Sequence, residues 1–158
     1  MNSDFSIAVH SLVLLAHRSD HMATSEMIAN NVCTNPARVR KVMSLLRNHG
    51  FVATKEGTGG GYMLDCDPET THLGQIYTVV CAGTLKPSWC SGDPDNGCMI
   101  ASNVQSVMDG LFHEAEDHLE LYWRKWTIAA VLEQICSLHE GKSDGTPKLE
   151  KGVFEHGG

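Results

Sequence analysis

The sequence predicts a mostly α-helical fold carrying one small β-hairpin, and three stretches carry that prediction. Residues 34–50, TNPARVRKVMSLLRNHG, set Val39, Val42, Met43 and Leu46 at the i, i+3, i+4, i+7 spacing of an amphipathic helix. Directly after it, FVAT and YML are short β-prone runs joined by Lys55–Gly61, where four glycines fall within five residues. From Met99 to Trp123 apolar residues recur near a 3.5-residue spacing, a length that as helix would extend about 37 Å. With 158 residues, 42% hydrophobic and 20% charged, the chain has the material for one compact domain and an extended appendage.

In chain order, residues 5–17 read as a helix that is apolar on nearly every face and therefore covered on two sides. The run FSIAVHSLVLLAH resembles a leader peptide only superficially. It follows Asp4 rather than Lys or Arg, His10 interrupts it, and no small-x-small site comes after. No stretch reaches the ~20 apolar residues that span a bilayer, so a cytoplasmic protein without a membrane partner is expected. Thr24 or Ser25 caps a short second helix running to about Asn31. Asn35 caps the third; Pro36 sits at its first position, where a missing N–H costs nothing, and Gly50 ends it.

The charge is unevenly spread. Residues 1–65 carry six Lys or Arg against five Asp or Glu, whereas residues 66–158 carry six against fourteen, giving −7 overall. Within 34–55 stand Arg38, Arg40, Lys41, Arg47 and Lys55 and no acidic residue. A local basic stripe is the footprint that matters for binding phosphates. Opposite the apolar stripe of the third helix lie Ala37, Lys41, Ser44 and Asn48, flanked by the arginines. A short helix, a tight turn and a second helix with a basic, small-residue outer face read as a helix-turn-helix, with double-stranded DNA as the partner.

The glycine cluster fits that frame. A phosphate-cradling P-loop would need Gly-Lys-Ser/Thr followed by a helix, but Tyr62-Met63-Leu64 follows here. A hairpin directly after a recognition helix is a wing, whose glycines allow a tight tip and close approach to a DNA backbone or minor groove. Arg38, Arg40 and Lys41 lie where base edges are reached, Thr34 and Asn35 at the helix N-terminus suit phosphate contacts, and Pro36, Ala37 and Ser44 share that surface. Lys55, Thr58, Gly59, Gly60 and Gly61 make the wing, and Arg47 is placed for a DNA-backbone contact or an intramolecular ion pair. No HExxH or nucleophile elbow is present, so no enzyme is expected.

The run TNPARVRKVMSLLRNHGFVATKEGTGGGYML resembles the Rrf-two type of winged-helix regulators, the family of IscR, NsrR and CymR. The resemblance extends to AVHSLVLLA, HLGQIYTVV and TIAAVLEQI, and through IAVHSL and SEMIANNVCTNPARVRKVMSLL it looks nearest the YwnA-like branch. It implies a homodimeric transcription factor on a palindromic operator, with repression as the expected outcome. The recognition helix would lie in the major groove and the wing in the adjacent minor groove.

A dimer also follows from the long helical pattern, whose Ile100, Val104, Val107, Leu111, Ala115, Leu119 and Tyr122 need more cover than so small a domain offers. An intramolecular packing stripe is the alternative, and Gly110 interrupts the pattern. Thr127 then caps a final helix with Ile128, Val131, Leu132 and Ile135. The chain thus divides into a winged helix-turn-helix domain with supporting helices over 1–81, a sensor-type loop over 82–98, and the dimerisation and final helices over 99–138. A tail over 139–158 without apolar periodicity is expected to be disordered.

The six cysteines form no CxxC pair, which disfavours a structural zinc site. Cluster-binding relatives are implied to hold iron–sulfur in the loop before the dimer helix, usually with three cysteines. Here only Cys90 and Cys98 are present, with His10 matching a histidine ligand of one two-cysteine relative. Two thiolates and one imidazole fall short of the four ligands of a [2Fe-2S] cluster, so no cofactor is the expectation and a cluster sensor the alternative. Thiol-based sensing by Cys90, Cys98 or Cys33, or a small-molecule effector, would serve instead. Trp89 beside Cys90 is expected against the dimer helix, with cover for a small-molecule pocket as the alternative. A further alternative is a winged-helix module that binds protein rather than an operator.

Overall fold

The computed structural model describes residues 3–143. Its elements are helix α1 (Asp4–His17), strand β1 (Met22–Ala23), helices α2 (Ser25–Val32) and α3 (Pro36–Asn48), strands β2 (Val52–Lys55) and β3 (Gly61–Leu64), and helices α4 (Leu73–Cys81), α5 (Met99–Trp123) and α6 (Ile128–Ser143). The fold is mostly α with a small β-hairpin wing, as expected. No helix among the described residues is long and apolar enough to cross a membrane.

α1 is the hub. It meets α2, α3, α4 and α6, and its Leu12 and Leu15 are fully buried together with Ile28 of α2, Val39, Val42, Met43 and Leu46 of α3, and Ile76 and Tyr77 of α4. Burial of such aliphatic side chains removes apolar area from water on several sides of one helix, which is why α1 is apolar almost all round. Phe5 closes one end, edge-on to Tyr77 at 5.6 Å and tilted against Trp123 at 5.2 Å between ring centroids.

The sheet has a strand the sequence did not announce. β1 pairs antiparallel with β3, Met22 opposite Met63 and Ala23 opposite Tyr62, and β3 in turn pairs with β2, giving the order β1-β3-β2. A two-residue strand has no period to read. Its presence explains Gly61, which has φ +152° and lies so near β1 that an added Cβ would stand 2.6 Å from the Ala23 carbonyl oxygen.

α5 runs unbroken through Gly110 and buries none of its residues in this chain. Met99, Ile100, Val107, Leu111, Leu121 and Tyr122 are all exposed, whereas Leu119 and Trp123 pack against the core. α6 continues to Ser143, so residues 139–143, expected to belong to a disordered tail, are helical; the remainder of that expected tail lies outside the described residues. Trp89 corrects a second expectation: at 73% exposed it does not cover the long helix.

Candidate nucleic-acid interface

The helix-turn-helix is set by two caps. Thr24 Oγ1 accepts from the Met27 N–H at 3.2 Å and Asn35 Oδ1 from the Arg38 N–H at 2.8 Å, each satisfying a donor the helix start leaves open. Between them Cys33 adopts φ +61°, the left-handed turn that ends α2. Ile28 and Ala29 then face Val39, Val42, Met43 and Leu46, and this apolar contact turns Ala37, Arg40 and Lys41 outward. Thr34, Pro36, Arg38 and Ser44 are half-buried at its edge, with Asn35 and Arg47 exposed. Lys55, Thr58 and Gly59 are exposed on the wing, where Gly57 and Gly59 take φ +89° and +75°.

The stripe without an acidic neighbour in sequence has two in space. Arg38 donates from Nε and Nη2 to Asp4 Oδ1 at 3.1 and 2.9 Å, and its Nη2 also donates to Ser3 Oγ. Lys41 Nζ reaches Asp4 Oδ2 at 3.2 Å. Arg40 Nη1 lies 3.3 Å from Ser25 Oγ and 3.6 Å from Glu26 Oε1. Arg47 and Lys55 form no ion pair among the described residues. Charge bookkeeping along the chain could not find these pairs, because Asp4 reads simply as a favourable acid in the first turn of α1.

Burial pushes the Asp4 carboxyl upward, but the hydrogen bonds and charges of Arg38 and Lys41 outweigh it and hold the carboxyl below its ordinary value of 3.8. The group therefore stabilises the fold fully above its ordinary unfolded value, and that contribution is lost as pH falls through the lower folded value. The contribution of this site to urea unfolding midpoints should accordingly hold steady from about pH 7 to 5 and be lost below about pH 4, so the acid-side drop should be smaller in Asp4→Asn.

The loop 82–98 lies along α5. Glu116 accepts from the Gly83 N–H at 2.9 Å, Lys86 pairs with Asp109 at 2.9 Å, Gln105 accepts from the Ser91 N–H at 2.5 Å, and Ala101 O accepts from the Asp93 N–H at 2.9 Å. Cys98 is the N-cap of α5, exposed, its thiol pulled below the ordinary range by the backbone N–H groups of Ala101 and Ile100. Cys90 and Cys33 are exposed free thiols. His10 is occupied elsewhere: its Nε2 lies 2.7 Å from Asn31 Oδ1, joining α1 to the end of α2. Among the described residues no three His, Cys, Asp or Glu side chains are grouped to hold a metal ion.

A family model described as "Rrf2: Iron-dependent Transcriptional regulator" matches residues 1–134. The chain is similar to YwnA of Bacillus subtilis (strain 168), named as an HTH-type transcriptional regulator, at 28% identity over 120 residues, covering 76% of this chain and 87% of that one. A crystal structure from Lactobacillus plantarum, named as a transcriptional regulator, superposes with a TM-score of 0.73 at 27% identity, covering 92% of this chain and all of that one. IscR of T. potens shares the fold, with a TM-score of 0.61 at 19% identity over 94% of this chain and 92% of that one.

Proposed function

The chain belongs to the Rrf2 family of transcriptional regulators, and from that premise we propose that it works as a homodimer on a palindromic operator, repressing by occupying it. It is a DNA-binding regulator and not an enzyme. The observation that carries the operator reading is the exposed outer face of α3, with Ala37, Arg40 and Lys41 turned away from the core beside a wing carrying Lys55 and Thr58. Recognition helices of this kind enter the major groove, and a two-fold dimer reaches two half-sites about one helical turn apart. The exposed apolar positions of α5, in a chain of net charge −7, support a second copy as their cover.

The family's description names iron, and the donors here do not fit a cluster. Cys90 and Cys98 offer two sulfur donors, His10 is held by Asn31, and among the described residues no three such side chains are grouped, against the four ligands that a [2Fe-2S] cluster takes. A thiol response suits the residues better. Cys98 offers an exposed thiol whose pKa is lowered at a helix N-terminus, and Cys90 lies on the same loop along α5, so an oxidant acting there would act on the helix that supports the dimer.

The test is DNA selection from a random pool followed by anisotropy titration at several salt concentrations. Phosphate contacts release counterions, so affinity must fall steeply with salt and a selected duplex must outcompete random DNA. Arg40→Ala should weaken the selected duplex by about 1–3 kcal/mol and random DNA much less if Arg40 reads a base. Equal loss on both would make it a phosphate contact. Salt-insensitive binding, or no enrichment at all, would favour a protein-interaction module.

A further inference from the structure

Among the described residues Asp4 is the one buried acid at the basic face of α3, only 6% exposed, and operator recognition gives it no part. A carboxylate in the first turn of a helix is ordinarily satisfied by that helix's own free N–H groups. This one also reaches across to α3, 34 residues on, and takes two of its cations at once. One oxygen accepts both Nε and Nη2 of Arg38, the other accepts Lys41 Nζ, and Ser3 adds a second hold on Arg38. We propose that Asp4 is a positioning residue that sets selectivity: it fixes Arg38 and Lys41 at the DNA-facing end of α3 and withholds part of their charge from indiscriminate phosphate binding. The proposal rests on the operator reading above and names the residue that governs its discrimination.

Two effects of opposite kind follow from one contact. A guanidinium offers five N–H donors in a rigid fork. Asp4 and Ser3 occupy the Nε and Nη2 edge, which leaves Nη1 for an incoming acceptor and removes much of the rotamer freedom a free arginine would lose on binding. The same carboxylate cancels one of the two positive charges. Sequence-independent affinity scales with the number of phosphates neutralised, so an acid at this place lowers phosphate binding on every duplex, while the ordering of Arg38 is recovered only where base contacts use it. Burial makes the arrangement durable. Glu26, paired with Arg40 at 3.6 Å, has a side chain 65% exposed and can swing into water when DNA arrives, whereas the Asp4 side chain at 8% cannot.

The experiment uses the full chain, one selected duplex and one random duplex, titrated by anisotropy from about 50 to 200 mM salt. In Asp4→Asn, random affinity is expected to rise, operator affinity to stay level or fall, and the ratio between them to drop by about tenfold. The slope of log K against log salt on random DNA should steepen by about one, the signature of one further phosphate contact. Asp4→Glu, which keeps the charge, should recover most of the ratio. Ser3→Ala, an exposed change that leaves net charge and folding intact, should weaken operator binding and spare random DNA. An Asp4→Asn protein that melts earlier yet keeps the wild-type ratio and slope would make Asp4 a plain tie between α1 and α3 and overturn the proposal. So would a Ser3→Ala protein unchanged on both duplexes. If the unaltered protein prefers no selected duplex, the operator reading fails first, and that is seen before any variant is made.

Discussion

Val107→Asp combined with Leu111→Asp is expected to yield a folded monomer whose operator affinity is lower by about 100-fold or more. Both positions are exposed in the single chain, at 61% and 54%, and α5 buries nothing there, so the subunit itself should lose no more than about 0.5 kcal/mol. In a two-fold interface each substitution appears twice and brings like charges together across the axis. Each aliphatic side chain no longer covered forfeits about 1.5–3 kcal/mol, and the introduced carboxylates must in addition be desolvated without a partner. Separation of the subunits then removes the second half-site, which in the dimer is presented at an effective concentration in the millimolar range. Light scattering after gel filtration gives the mass, and titration with full and half operators gives the affinity. Retained dimer mass with both aspartates in place would mean that α5 is not the interface, and Ile135 and Leu138 of α6, exposed at 49% and 57%, would be the next surface to alter.

The helices were legible because their determinants are local. Thr24 and Asn35 cap the helices they precede, Val39, Val42, Met43 and Leu46 are buried as their spacing required, and α5 occupies Met99–Trp123 because nothing in that run halts propagation, Gly110 included. What stayed hidden depends on pairs distant in sequence. β1 exists only because β3 is beside it, and two residues carry no alternation. Asp4 and Glu26 reach α3 through packing of α1 and α2, so a stripe that is purely basic along the chain is partly neutralised in space. The loop 82–98 shows no periodicity, yet side chains of Gln105, Asp109 and Glu116 hold it along α5. In the expected dimer set, Val104 and Leu119 depart from the rest: both are half-buried in the single chain, and Leu119 packs against its core, so it serves the subunit as well as the stripe.

Gly60→Ala and Gly61→Ala should each cost about 2–4 kcal/mol, whereas Gly57→Ala should cost only about 1 kcal/mol. All three are wing glycines, and the difference lies in what a Cβ would meet. At Gly57, φ is +89° and open space surrounds the position, so the penalty is the backbone strain alone. At Gly60 the new carbon would stand 2.2 Å from the Lys55 carbonyl oxygen and 2.9 Å from that of Gly57, both backbone atoms that no rotamer change can move. At Gly61 a φ of +152° combines with an approach of 2.6 Å to the Ala23 carbonyl oxygen, so the alanine must part β1 from β3. Either change reaches the core through Tyr62 and Leu64, which pack against it from β3. The wing glycines thus first serve the closeness of the protein's own strands, and the tip of the wing is built on that closeness. Urea titrations with an unchanged slope give the energies, and amide exchange over Lys55–Leu64 shows whether the hairpin opens locally. Operator and random DNA should weaken together in Gly60→Ala, because a displaced tip loses backbone contacts rather than base readout. If Gly60→Ala matched Gly57→Ala in stability, the Lys55 carbonyl would have room to retreat, and the glycine at 60 would have to be explained by DNA contact alone.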